Sequence, residues 1–204
     1  LGLSALKGKL GSALSSFPVD VLDDPTRPEG LGSRPFDAEG RASQPVKLVD
    51  RGRLVSMLSN RSTSTMMGGQ VAGQSLLVQI GGSMIPAPWP SNIVFSTGDA
   101  TLDEMIEDSR RPTLYLTSNW YTRYSNYEEG SFSTIPRDGA FLVENGEVVR
   151  PVRRIRISDN IVGLFSRIEE MGKDLTQVHW WEVETPTFVP YVKFSDVRIT
   201  AAPM

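Results

Sequence analysis

The sequence predicts an α+β domain, a mainly antiparallel sheet or barrel with about three short helices. Hairpin signals outnumber any strand–helix–strand alternation, which separates antiparallel α+β chains from parallel α/β ones. Segments such as Ile155-Arg156-Ile157 alternate apolar and polar residues with the period of a half-buried strand. Helical periodicity is confined to short stretches, some with recognisable caps.

In chain order, Leu3, Leu6, Leu10 and Leu14 recur at helical spacing and predict a first helix. Gly2, Gly8 and Gly11 weaken it, each by up to about 1 kcal/mol relative to alanine. An opening without methionine, already inside this pattern, reads as the C-terminal part of a longer chain. FPVDVL (17–22) reads as a strand and DDPTRPEGLGSRP (23–35) as a loop. PVKLVDRGRLVSML (45–58) reads as a hairpin around Asp50-Arg51-Gly52. The Ser/Thr/Gly-rich stretch 59–75 is a mobile loop or a backbone that must approach something closely, and the best candidate for an internal boundary. Residues 75–82 and 92–96 read as strands, with an extended, proline-punctuated 85–92 between them.

Thr101 and Glu104 form a capping box before a short helix ending near Ser109. TLYLTSNWYTRY (113–124) is β-branched and aromatic, hence a strand. Phe141–Val143 and Val148-Val149 flank Asn145-Gly146, the pair that favours a type I′ hairpin turn. Pro151 interrupts, so the strand carrying Ile155 and Ile157 begins afresh or lies at an edge. Ser158, Asp159 and Asn160 offer N-cap chemistry for a helix through Ile161, Leu164, Phe165, Ile168 and Met171, with Gly172 as its C′ residue. Strands around 179–184 and 188–200 close the chain.

The net charge of -3 opposes a dedicated nucleic-acid-binding domain. No cysteine is present, which removes disulfides, thiolate nucleophiles and thiolate metal ligands. It is compatible with a reducing cytoplasm. No apolar run reaches the ~20 residues of a transmembrane helix. Arg150, Arg153, Arg154 and Arg156 read either as a phosphate-binding strip or as the wet side of an edge strand, and the acidic balance favours the second. His179 is the single histidine and reads as an ordinary strand residue. Asp20, Asp23, Asp24, Asp37 and Glu39 match no EF-hand spacing and read as turn chemistry. Trp89, Trp120, Trp180 and Trp181 would line a groove or, the favoured reading, pack the core. No P-loop, G-x-G-x-x-G, G-x-S-x-G or H-E-x-x-H is present.

Four stretches together resemble the C-terminal region of the TldD/PmbA family, the peptidase pair also called TldD/TldE and once labelled modulators of DNA gyrase. They are LKGKLGSALSSFPVDVLDDP (6–25), FDAEGRASQPVKLVDRGRLVSMLSN (36–60), EEGSFSTIPRDGAFLVENGEVVRPVRRIRISDNI (128–161) and EEMGKDL (169–175), in the family's order. The resemblance implies one C-terminal domain over 1–204, without the N-terminal domain and metal-binding helix of the parent. In TldD-type members an H-E-x-x-x-H helix upstream supplies two zinc ligands and a catalytic glutamate, and a cysteine near the C-terminus supplies a third ligand. In this chain the segment where that cysteine should fall, WWEVETPTFVP (180–190), has none, and Glu184 or Thr185 stands near the position. The expectation is therefore the non-catalytic TldE/PmbA type, with no catalytic or metal residue in this chain and zinc only if the upstream helix carries its motif. The implied partners are a second copy or a TldD-like subunit, in the cytoplasm, and an unfolded peptide, with neither nucleic acid nor membrane. Asp37, Glu39, Phe132 and Arg137 lie in the resembling segments and are the candidate peptide- or partner-contacting residues. An exposed strand edge would take the peptide as an added strand. Two other readings stay open: a competent zinc peptidase with an altered third ligand, and a pure interaction module.

Overall fold

Tight turns at positive φ set the strand boundaries along much of the chain. The computed structural model describes residues 4–66 and 73–201. β1 (Val21–Asp23) pairs antiparallel with β2 (Val46–Asp50), which turns into β3 (Arg53–Leu54). Arg51 and Gly52, at φ 42° and 80°, give the turn the two left-handed residues of a type I′ hairpin. A Cβ on Gly52 would lie 2.4 Å from the Ser15 carbonyl oxygen.

The expected first helix is absent over residues 4–14, which form turns and then run along β3. Gly8 and Gly11 adopt φ 72° and 83°, which breaks the helix. The Gly11 amide instead donates to Leu54 O at 2.7 Å and the Leu14 amide to Gly52 O at 2.7 Å. Leu14 is buried while Leu10 is exposed, so the leucine spacing does not mark one buried face.

Inside the expected 59–75 loop lies a short helix, α1 (Arg61–Met66), capped by Asn60 Oδ1 accepting from the Thr63 amide at 3.0 Å. Residues 67–72 of that loop lie outside the described residues. β4 (Ser75–Ile80) and β5 (Ser83–Pro88) form a hairpin that joins no other sheet among the described residues. β6 (Ile93–Phe95) leads to α2 (Leu102–Glu107), where the capping box is present as predicted.

The strand expected over 113–124 is two, β7 (Thr113–Leu116) and β8 (Asn119–Asn126). The chain changes sheets at Thr117-Ser118, because β7 pairs with a different partner from β8. β9 (Ser131–Pro136), unrecognised in the sequence, is that partner of β8. β10 (Ala140–Glu144) and β11 (Glu147–Pro151) meet at Asn145-Gly146, both at positive φ as the Asn-Gly signal requires. β12 (Ile155–Asn160) feeds α3 (Ile161–Ser166), capped by Asn160 Oδ1.

The helix expected to reach Met171 stops at Ser166, and Ile168–Met171 becomes β13, paired with β16 (Val192–Phe194). Apolar residues at 168 and 171 serve either geometry, and pairing with β16 wins. Gly172 is accordingly not a helix cap: its amide donates to Tyr191 O at 2.8 Å and its carbonyl accepts from Gly98 at 3.0 Å. β14 (Thr176–Trp180) and β15 (Val183–Val189) replace the strand expected over 179–184, which in fact contains their turn. The stretch 188–200 divides among the end of β15, β16 and the start of β17 (Ile199–Ala201).

The largest sheet has the order β14-β15-β6-β1-β2-β3, and only its β15–β6 contact is parallel. A four-stranded sheet runs β17-β12-β9-β8 and a three-stranded one β11-β10-β7. The fold is α+β and mostly sheet, but among the described residues no sheet closes into a barrel. The core lies where the large sheet meets β13, built on Val19, Val21, Val49, Leu54, Ile168 and Met171, the last 1% exposed.

Asp23 is buried at the end of β1, accepting from the Ser91 amide and hydroxyl at 2.6 and 2.5 Å. Burial pushes its carboxyl above the ordinary aspartate value, against the lowering effect of the Ser91 hydrogen bonds. The folded chain thus holds this proton to higher pH than the unfolded chain. Asp23 contributes most stability below the ordinary aspartate range, and that contribution is lost as pH rises through the raised value. Across that window the stability difference between wild type and Asp23→Asn should grow in favour of wild type as pH falls, measured by urea unfolding; a pH-independent difference contradicts this. Gly52→Ala, strained in φ and crowded against Ser15, should lower stability by at least about 2 kcal/mol in the same assay.

Candidate functional site

The turn between β14 and β15 carries Trp181 and Glu182 against β8. The Glu182 side chain is 7% exposed although it stands on a turn. Its Oε1 accepts from the Tyr121 amide at 2.8 Å and from Arg123 Nη1 at 3.1 Å, and its Oε2 accepts from the Thr122 amide at 3.3 Å. Those amides point at it because β8 bulges between Trp120 and Arg123, with Tyr121 at φ 57°. An aromatic residue in the left-handed region is strained, and the carboxylate holds it there.

Around this tie the aromatic residues interleave with arginines. The Arg137 guanidinium lies 5.3 Å from the centre of the Trp120 ring and 5.2 Å from that of Trp180. Trp180 meets Trp181 edge-on, and Arg123 lies 5.0 Å from the Tyr121 ring centre. A cavity of about 450 Å³ opens beside the turn, walled by Trp89, Thr122, Trp181, Glu184, Thr185 and Thr187 among others. A larger groove, about 810 Å³, runs past α2, β7, β12 and β16 and is lined by Ile106, Tyr115, Phe132 and Ile157 among others. In it burial and the neighbouring Tyr191 raise the Tyr115 hydroxyl above the ordinary tyrosine value.

The four candidate residues fall in three places. Arg137 sits in the tryptophan stack. Phe132 is half-buried in the larger groove, near the Tyr124 ring at 6.4 Å. Asp37 is buried and organises its own turn, Oδ1 accepting from the Glu39 and Arg41 amides at 2.9 Å each. Glu39 Oε2 accepts from the Arg61 amide at 3.0 Å, at the start of α1. Arg150, Arg153 and Arg154 are exposed, and Arg156 is half-buried and donates to Ser133 Oγ at 3.0 Å. Sequence reasoning missed Glu182, Arg123 and Tyr121; a glutamate following two tryptophans was the one local signal.

Zinc, implied by the resemblance, does not fit the residues present. Among the described residues no three His, Cys, Asp or Glu side chains converge. The His179 ring is exposed, with Nδ1 3.1 Å from Val183 O. Also among the described residues, no helix is long and apolar enough to cross a membrane.

Comparison with known proteins gives the family. The sequence model described as the PmbA/TldA metallopeptidase C-terminal domain matches residues 1–201. The chain belongs to this family. A metalloprotease of Methanothermobacter thermautotrophicus is 32% identical over 173 residues, covering 85% of this chain and 37% of that protein. One of Archaeoglobus fulgidus is 31% identical over 174 residues, covering 85% and 39%. Among solved structures, a proposed DNA gyrase modulator of Thermotoga maritima superposes with TM-score 0.83 at 28% identity, over 98% of this chain and 43% of that one. TldE of Thermococcus kodakarensis has TM-score 0.83 at 22% identity, over 98% and 46%, and shares the fold. The chain thus spans less than half the length of each of these proteins.

Arg137→Ala should cost about 1 kcal/mol and red-shift tryptophan emission as Trp120 and Trp180 gain solvent; an unchanged spectrum contradicts the stack.

Proposed function

We propose that this metalloprotease-related C-terminal domain belongs to a non-catalytic subunit of the TldE/PmbA type, which helps enclose a chamber where a TldD-like partner cuts unfolded peptides. One observation carries the reading. The stretch 180–190, where the resemblance places a cysteine zinc ligand, has none, and Glu184 and Thr185 line the cavity there. The cysteine-free chain is compatible with a cytoplasmic complex.

The β4–β5 hairpin supports the partner contact. Residues 75–90 include no charged side chain, and Leu77, Ile80, Met84 and Ile85 are exposed. Two strands alone are marginally stable, and so many exposed apolar groups on one arm mark an interaction surface. We assign this arm to the dimer contact, with a second copy or a TldD-like subunit. Phe132 and Arg137 belong to the peptide-facing side, and Asp37 and Glu39 shape the loop beside α1. A second reading, a competent peptidase with its H-E-x-x-x-H helix upstream, draws on Glu184, whose carboxylate is unpaired among the described residues and is of a type that ligates zinc when other ligands are supplied from outside this chain.

The full-length parent, purified alone, should hold substoichiometric zinc and leave an unfolded peptide uncut, with cleavage appearing on addition of a TldD-like subunit. Stoichiometric zinc and cleavage by the parent alone would establish the second reading. Leu77→Lys with Ile80→Lys should shift the complex to monomers in sedimentation velocity; an unchanged dimer would remove the arm from the interface.

A further inference from the structure

We propose that the cavity beside the β14–β15 turn binds the cationic side chain, arginine or lysine, of an extended peptide. The inference rests on the reading that unfolded peptides pass this surface, and it names their chemistry.

Two walls of the cavity are indoles, Trp89 and Trp181. Trp181 is 58% exposed, although tryptophan is highly buried on average. An indole left open beside a cavity offers a π face, the best side-chain surface for a cation. Charge gives the sign of the ligand. The cavity wall carries Glu182, Arg123 and Glu184. Arg123 is spent on Glu182 at 3.1 Å, on the Thr122 carbonyl at 2.7 Å and on the Tyr121 ring. The Glu184 carboxylate makes no ion pair or hydrogen bond among the described residues, so one carboxylate is in surplus on the wall. An anion is repelled there, and a cation gains a carboxylate and an indole together.

The hydroxyls agree. Thr122 Oγ1 is engaged with Thr134 at 2.9 Å, and Thr187 Oγ1 donates to Thr185 O at 2.9 Å. The Thr185 hydroxyl has no such partner among the described residues and can accept from a guanidinium or ammonium. The neighbouring cluster shows the chemistry already at work in this fold, where the Arg137 guanidinium lies between Trp120 and Trp180. In the cavity the indoles and the Glu184 carboxylate are present, and among the described residues its one lining cation, Arg123, is already engaged with Glu182. A volume of about 450 Å³ lies in the range of small-ligand sites and admits a side chain of this length.

The test uses the full-length parent and two blocked pentapeptides, Ala-Ala-Arg-Ala-Ala and its citrulline isostere, which keeps the shape without the charge. Titration by calorimetry and tryptophan fluorescence at low salt should give binding about tenfold tighter for the arginine peptide. Glu184→Gln, exposed and conservative, should abolish that preference while retaining citrulline binding. Trp181→Ala should weaken both peptides. Equal affinity for the two peptides, no detectable binding of either, or a preference that survives Glu184→Gln overturns the proposal. The two readings fail separately. If the parent cuts peptides unaided yet prefers arginine through Glu184, the non-catalytic assignment falls and the pocket stands. If cleavage requires the partner but arginine and citrulline bind alike, the pocket falls and the subunit role stands.

Discussion

One carboxylate joins the two largest sheets of this domain. Glu182 stands on the β14–β15 turn of the six-stranded sheet and receives two amides and a guanidinium from β8 of the four-stranded sheet. A buried carboxylate without partners would be costly, and two adjacent amides at a bulge would be equally costly without an acceptor. Each removes the other's penalty. The bulge in turn holds Tyr121 at positive φ, and Trp180, the residue before the turn, flanks Arg137 together with Trp120. The cavity walls, the tryptophan stack and the strand edge of β8 all take their positions from this contact.

The legible parts of the fold were those decided by a few neighbouring residues. Asn145-Gly146 dictates its turn through backbone sterics alone, and Thr101 with Glu104 close a capping box within one helical turn. The illegible parts were decided across the sheets. Ile161 to Met171 carries a helical spacing, but its second half finds β16, distant in sequence and adjacent in space, and extends into a strand (Ile168 pairs with Phe194, 26 residues on). The N-terminal leucines keep helical spacing while Gly8 and Gly11 turn the backbone the other way. The site was hidden for the same reason. Glu182 and Tyr121 are 61 positions apart, and nothing local in either segment announces that they meet. Of the candidate residues only Arg137 falls in this cluster, and Asp37 is buried inside its own turn.

Family membership and local chemistry contribute different things. The match over residues 1–201 places the chain in a metallopeptidase family, and its relatives are more than twice as long. The residues present supply no converging metal ligands among those described, yet they build a cavity with aromatic walls and a surplus carboxylate. Under the proposed function, such a cavity would hold a peptide in place while chemistry proceeds on another element. The uncharged β4–β5 arm, paired with no other sheet among the described residues, is a separate exposed surface, assigned to the partner contact under the same proposal.

Hydrogen exchange of the full-length complex, with and without an unfolded peptide, tests the central claim that this surface faces the substrate. Slower exchange on peptide binding is expected around Thr122 and Val183–Thr187, with the β4–β5 arm already protected by the partner before peptide is added. Unchanged exchange around the cavity, with peptide-dependent protection appearing elsewhere in the domain, would contradict it.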